Sequence, residues 1–310
     1  MSRKSARIRS ALCVVSFALA ALASGTGAFA QTPPATPTDP AKLDAELRYQ
    51  TGTVQVADGK ATFNLGPEFR YLDPKQTARL LSEGWGNPPG AETLGMIVPA
   101  TPSPLSAEGW GVVVTYEEDG YVDDKGADKI DYDELLGEMK KSVAEENKER
   151  EKAGYEPMQL VGWAEPPRYD KTTNKMYWAK DIKFGNSPVD TLNYNIRVLG
   201  RRGVLVLNAV STVDQLTSVK TSMQQLLPAV EFNPGHRYAD FIPGKDKMAE
   251  YGIGALVLGT LAAKTGLFKI LLAGLLAAKK FVILGLAAIG AWFRKLFKKK
   301  EPATAEAIEP

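Results

Sequence analysis

Alternation of apolar and polar residues dominates the middle of the chain. Val54-Gln55-Val56 and Ala61-Thr62-Phe63 alternate on either side of Asp58-Gly59, which predicts a hairpin over Thr53–Leu65. Asp73-Pro74 supplies an N-cap and a first-turn proline, so a short helix is expected to run to about Glu83. Leu94–Val98 and Trp110–Tyr116 have the composition of strands. From Ile130 to about Ala153 the period becomes helical: Leu135, Leu136, Met139 and Val143 share one face and charges fill the others. Four strand signals follow, Met158–Trp163, Lys175–Phe184, Thr191–Leu199 and Val204–Val210, the last two joined through Gly200-Arg201-Arg202-Gly203. A helix over Val213–Leu227 closes the pattern, with Leu216, Val219, Met223, Leu226 and Leu227 on its apolar face. Runs of adjacent strands broken by a few helices predict an α+β fold, a mainly antiparallel sheet packed with helices.

The two ends follow other rules. Met1–Ser10 is basic, Ala11–Ala23 is apolar, and Ala28-Phe29-Ala30 has the small-residue spacing that signal peptidase requires. Residues 1–30 are therefore expected to be a secretory signal, and 31–43, with Pro33, Pro34, Pro37 and Pro40, an extended linker. At the other end, 251–293 holds no acid and four lysines, Lys264, Lys269, Lys279 and Lys280. Its longest uncharged runs, 251–263 and 281–293, are thirteen residues each. At about 1.5 Å per residue such a run covers roughly 20 Å of a hydrocarbon core near 30 Å thick, so any span must carry a lysine. Three arrangements fit: one span over roughly 251–273, a hairpin turning at Lys279-Lys280, or an amphipathic helix in the interface. The single span is preferred because it leaves the basic cluster Arg294–Lys300 in the cytoplasm. The expected organisation is then an exported domain over 44–245, a membrane-anchoring segment over 246–300 that meets lipid through 251–297, and a tail over 301–310.

Charge changes this picture in one respect. The 310 residues carry 38 basic and 36 acidic groups, but the stretch 31–250 holds 25 basic and 33 acidic, a net of −8. A mildly acidic body lacks the footprint of a phosphate binder, so no nucleic-acid partner is expected. The one cysteine, Cys13, lies in the signal, leaving the mature chain without thiol chemistry.

Candidate chemistry is sparse. His236, followed by Asp240, could join a serine in a triad, but no Gly-x-Ser-x-Gly holds a nucleophile. One histidine and no mature-chain cysteine exclude an ordinary zinc or copper set, and the acidic run from Glu117 to Asp133 lacks the spacing of a calcium loop. Neither a metal nor a cofactor is expected. Two segments echo each other, Gly84-Trp85-Gly86-Asn87-Pro88-Pro89 and Gly162-Trp163-Ala164-Glu165-Pro166-Pro167. They mark either a paired binding surface or tryptophans packing the edge of the core.

The ending of two strands and an amphipathic helix is similar to Mog1/PsbP-type α/β/α domains. Stronger is the resemblance to a bacterial family of uncharacterised membrane-anchored proteins, domain-of-unknown-function family 2167. It is carried by Phe69-Arg70-Tyr71-Leu72-Asp73-Pro74, Trp85-Gly86-Asn87-Pro88-Pro89, Trp110-Gly111-Val112-Val113-Val114-Thr115-Tyr116, Leu192–Gly203 and Phe232-Asn233-Pro234-Gly235-His236-Arg237-Tyr238. The resemblance implies an exported, membrane-anchored domain and brings no activity or catalytic residue. The function expected is a non-enzymatic module in the periplasm, at the bacterial inner membrane, that binds a protein partner or senses the envelope. Its contact groups would be Trp85, Trp163, Arg168, Tyr169 and His236. A glycan or cell-wall hydrolase using carboxylates and His236, and a helper of membrane-protein assembly, are the alternatives.

Overall fold

The computed structural model describes residues 39–258 apart from Pro88 and Ala153. The expected signal, most of the linker and the stretch 259–310 lie outside the described residues.

In chain order the elements are α1 (Pro40–Glu46), β1 (Tyr49–Gln50), β2 (Thr53–Val56), β3 (Ala61–Asn64), β4 (Phe69–Leu72) and α2 (Pro74–Arg79). A π-helical turn over Leu80–Gly84 extends α2, and β5 (Gly95–Pro99), β6 (Gly111–Glu117), α3 (Tyr132–Lys152) and β7 (Met158–Asp170) follow. Then come β8 (Lys175–Phe184), β9 (Thr191–Leu199), β10 (Val204–Thr212), α4 (Leu216–Leu226), β11 (Val230–Phe232) and α5 (Ala255–Leu258). The α+β class and the antiparallel sheet are as the pattern predicts. Eight strands form one sheet in the order β1-β4-β5-β6-β10-β9-β8-β7, and three form a second, β11-β3-β2. Every described pairing in both is antiparallel.

Because strand side chains alternate between faces, the pairing register sorts the large sheet into two surfaces. One carries Ile97, Val112, Val114, Tyr177, Ala179, Tyr194, Ile196, Leu205 and Leu207. The small sheet (Val54, Phe63, Val230) and α4 (Val219, Met223, Leu226) cover it, forming the main apolar core. The opposite face carries a second apolar cluster at one end and a mixture of apolar and polar residues elsewhere, Val206 and Met176 flanking Arg197 in one row. In the cluster Met96, Val98, Val113 and Val210 pack under Leu43 of α1 and Leu80, Leu81 and Trp85 around the π-helical turn.

Two boundaries differ from expectation. Leu43 is fully buried in α1, capped by the Asp39 carboxylate, so the folded body begins inside the stretch read as linker. The C-terminal boundary moves further. Asp246 accepts from Arg201 Nε at 2.7 Å and Arg202 Nε at 3.1 Å, tying 242–248 to the β9–β10 turn. Tyr121, stacked on Tyr238 and Phe241 at 4.4 and 3.9 Å, fastens the same strap. Beyond it Tyr251, Ile253, Ala255, Leu256 and Val257 are buried, and the Tyr251 hydroxyl donates to Asp119 at 2.9 Å. The first residues of the expected membrane span, 251–258, are thus packed on the body, and the rest of that span lies outside the described residues. Among the described residues no helix is long and apolar enough to cross a membrane.

Candidate functional site

The mixed part of the second face, where polar groups are buried beside Val206 and Met176, is where the sequence departs from a simple core. β9 reads Thr-Leu-Asn-Tyr-Asn-Ile-Arg-Val-Leu, with Leu192, Tyr194, Ile196 and Val198 in the apolar core. The alternate positions Asn193, Asn195 and Arg197 would ordinarily face water, yet all three are buried, with Asn208 of β10 and Trp178 of β8 beside them. The register lines them up in rows: Asn208–Asn195–Trp178, and next to it Val210–Asn193–Lys180–Trp163. Neighbours in such a row stand about 5 Å apart.

This surface is only partly satisfied. Asn195 Nδ2 donates to the Asn193 carbonyl at 2.8 Å, and Arg197 lies over the Trp178 ring at 4.8 Å. The Trp178 indole N–H and Asn208 Oδ1 are buried without a hydrogen-bond partner among the described residues. Burial works against the Arg197 charge, while Glu117 favours it. Burial and the adjacent Arg197 push the Lys180 ammonium down to about 8, and Glu146 of α3 offsets part of this. Buried polar groups are costly, so their concentration on one face makes this the most distinctive site of the fold.

Three of the residues singled out in the sequence lie on the edge strand β7, two of them at the border of this face. The register of β7 slips between Leu160 and Gly162, between Trp163 and Glu165, and between Glu165 and Arg168, where Pro166 and Pro167 lack an N–H. These slips send neighbouring side chains to opposite faces. Trp163 and Tyr169 stand on the polar face: Trp163 Nε1 donates to the Tyr132 carbonyl at 3.3 Å and the Tyr169 hydroxyl to Asp124 at 3.0 Å. Glu165 and Arg168 turn to the other face, where Arg168 is exposed and stacks on Tyr177 at 4.1 Å. Glu165 there accepts from Lys220 of α4 at 2.9 Å.

The other two residues lie elsewhere. Trp85 is buried, with its indole N–H donating to the Pro104 carbonyl at 2.9 Å. It follows a helical turn, whereas Trp163 sits inside a strand, so the two Gly-Trp echoes occupy unlike environments. Trp85→Phe is expected to cost about 1 kcal/mol in urea unfolding, because it strands a buried carbonyl. His236, half-buried in the turn after β11, acts through its main chain: its carbonyl accepts from Arg201 N at 2.9 Å. Asp240 accepts from the backbone N–H groups of Gly235 and Arg237, at 2.8 and 2.9 Å. The acidic run is likewise spent on hydrogen bonds within the body: Asp131 accepts from Asp133 N and Glu134 N at the start of α3, Asp124 from Tyr169 and Asp119 from Tyr251. Among the described residues no group of three His, Cys, Asp or Glu could hold a metal ion.

Sequence reasoning passed over Trp178, Lys180, Asn195, Arg197 and Asn208. The available signal was the alternation of Asn193, Asn195 and Arg197, which has the pattern of a solvated face.

A family model described as "Protein of unknown function (DUF2167)" matches residues 48–290, well over half of the chain. The chain belongs to the DUF2167 family. All of the polar face and the whole of β7 lie within the matched range of this DUF2167 protein. No curated protein matches it. Among solved structures, cyanobacterial PsbP (CyanoP) from Synechocystis sp. PCC 6803 is similar at 9% identity, with 58% of this chain and 91% of that one covered and a TM-score of 0.35. A point mutant of the protein Mog1 is similar at 10% identity, with 60% and 96% covered and a TM-score of 0.30. The Ran-binding protein Mog1p of Saccharomyces cerevisiae gives 11% identity, 64% and 100% coverage and a TM-score of 0.30.

Proposed function

We propose that this DUF2167 protein is an exported, non-enzymatic module that binds a protein partner along β7 while anchored in the bacterial inner membrane. The observation that carries this is the edge strand β7, which presents Trp163 and Tyr169 on one face and Arg168 on the other, beside the exposed Val161. Aromatic and arginine side chains dominate the energetics of protein interfaces, and here both are held in place by neighbours. Arg168 is stacked on Tyr177 and Tyr169 is fixed by Asp124, so little side-chain freedom is left to lose on binding. The basic-then-apolar signal of residues 1–30 and the lysine-bearing apolar stretch 259–297 support a domain in the periplasm.

Photocrosslinking from Val161 and Arg168 positions in intact cells tests this. A protein adduct at Val161 that falls about tenfold in an Arg168→Ala, Tyr169→Phe background is the expected result, in line with interface hot spots. Glycan adducts, or none, would move the assignment to a hydrolase. A crosslinker at Lys299 is expected to capture cytoplasmic proteins if the anchor spans once, and periplasmic ones if it forms a hairpin.

A further inference from the structure

The packing of 251–258 changes what is left to cross a membrane. Tyr251, Ile253, Ala255, Leu256 and Val257 are buried on the body, and α5 lies beside α3. The strap that leads into them is paired through its backbone: Tyr121 N donates to the Lys247 carbonyl at 2.9 Å and Ala249 N to the Tyr121 carbonyl at 2.8 Å. Tyr251 adds its bond to Asp119, and Gly254 abuts Ile130, whose side chain a Cβ there would meet at 3.5 Å. These eight residues belong to the folded body, so an anchor begins no earlier than Gly259.

That boundary decides between a span, a hairpin and an interfacial segment. Of the uncharged run 251–263 only five residues, 259–263, remain beyond the body. A span of about twenty residues starting at Gly259 carries Lys264 and Lys269, the second near its centre. One lysine at the centre of a span cancels the gain from roughly six Leu, Ile or Phe side chains. The stretch 259–278 sets eight such side chains against its two lysines. The run 281–293 stays whole, but at about 1.5 Å per residue it falls roughly 10 Å short of a hydrocarbon core. At an interface the same lysines cost little, because their heads reach water and phosphate while the apolar neighbours enter the acyl region.

Charge along the chain points the same way. The stretch 259–300 holds nine basic residues and no acid, whereas 31–250 has a net charge of −8. An anionic surface attracts the first and repels the second. We propose that this DUF2167 protein holds the membrane from one side, its 259–300 stretch lying along a surface of anionic phospholipid without crossing it. This rests on the exported, membrane-held reading and narrows its anchor to the interface.

Binding of the full mature chain to vesicles of phosphatidylglycerol and phosphatidylcholine tests the lipid contact. Affinity is expected to fall at least about tenfold when phosphatidylglycerol is left out, or when salt rises from about 0.1 to about 1 M. Lys279→Glu with Lys280→Glu is expected to weaken binding about thirtyfold and leave the urea midpoint in place. Leu256→Ala should do the reverse, lowering the urea midpoint and leaving vesicle binding unchanged, because Leu256 is fully buried on the body. In cells, Lys299→Cys supplies the only thiol of the mature chain. A membrane-impermeant maleimide is expected to reach it from the periplasm, and alkaline carbonate to release the protein. In a chain whose signal has been cleaved, a thiol reached only after the inner membrane is opened overturns the proposal in favour of one span. A periplasmic thiol on protein that resists carbonate overturns it in favour of a hairpin. Leu256→Ala that weakens vesicle binding at an unchanged urea midpoint places 251–258 in lipid and overturns it as well. If vesicle binding follows charge but the signal stays uncleaved in cells, the lipid contact stands and export falls.

Discussion

Replacing Phe63 with alanine is expected to lower the unfolding free energy by about 3–5 kcal/mol. Phe63 is fully buried in β3, where it pairs with Val54 on one side and Val230 on the other. Its ring meets Tyr71 of the large sheet edge-on, with centroids 6.2 Å apart. It therefore joins all three strands of the small sheet to the large one, and truncation leaves a void that neither sheet can fill by moving alone. Urea unfolding of the full chain is the measurement. A loss below about 1 kcal/mol would mean that the two sheets do not share a core.

Lys180→Met should work in the opposite direction, stabilising the protein by about 2 kcal/mol at pH 7. The unfolded chain keeps this proton to about pH 10.5, whereas the folded protein releases it near 8. Below pH 8 both states are protonated and the folded state bears the full cost of a half-buried ammonium. Between 8 and 10.5 the unfolded state binds more protons, so the lysine protein gains stability as pH rises. Tyrosine limits the window at its upper end. Tyr71, Tyr116 and Tyr194 are held at about 12 by burial, and their unfolded counterparts begin to ionise near 10. The advantage of Lys180→Met should thus shrink from pH 8 to about 9.5. A difference that stays flat across this interval would show that Lys180 is not strained by its surroundings.

Strongly patterned strands were legible in the sequence to the residue: Lys175–Phe184 and Thr191–Leu199 are found as expected. The hairpin, α3 and the last amphipathic helix were legible to within a few positions. Short pieces were not. Phe69–Leu72 is buried on both faces and so does not alternate, and Val230–Phe232 is too short to show a period. Nor does the sequence show that Tyr251–Leu258 turns back onto the body, because burial against protein and burial in lipid select the same side chains. The polar face was hidden for a related reason. Asn193, Asn195 and Arg197 alternate as a solvated edge would, and only the tertiary arrangement encloses them. Trp85 was misleading in the other direction, since a tryptophan that anchors a loop carbonyl looks, in sequence, like one that awaits a partner.

The small sheet also dictates the order of assembly. β2 and β3 can form their hairpin early, but β11 reaches β3 only after β4–β10 and α2–α4 have intervened, and Thr62 Oγ1 meets Asn233 over 171 residues of separation. Pairings that distant close slowly, because the chain entropy is lost before the contacts are made. Phe63 therefore stays unshielded until Val230–Phe232 has been synthesised, and the main core cannot close on a nascent chain that ends earlier. Such a chain keeps its main core open until its last strand has been made.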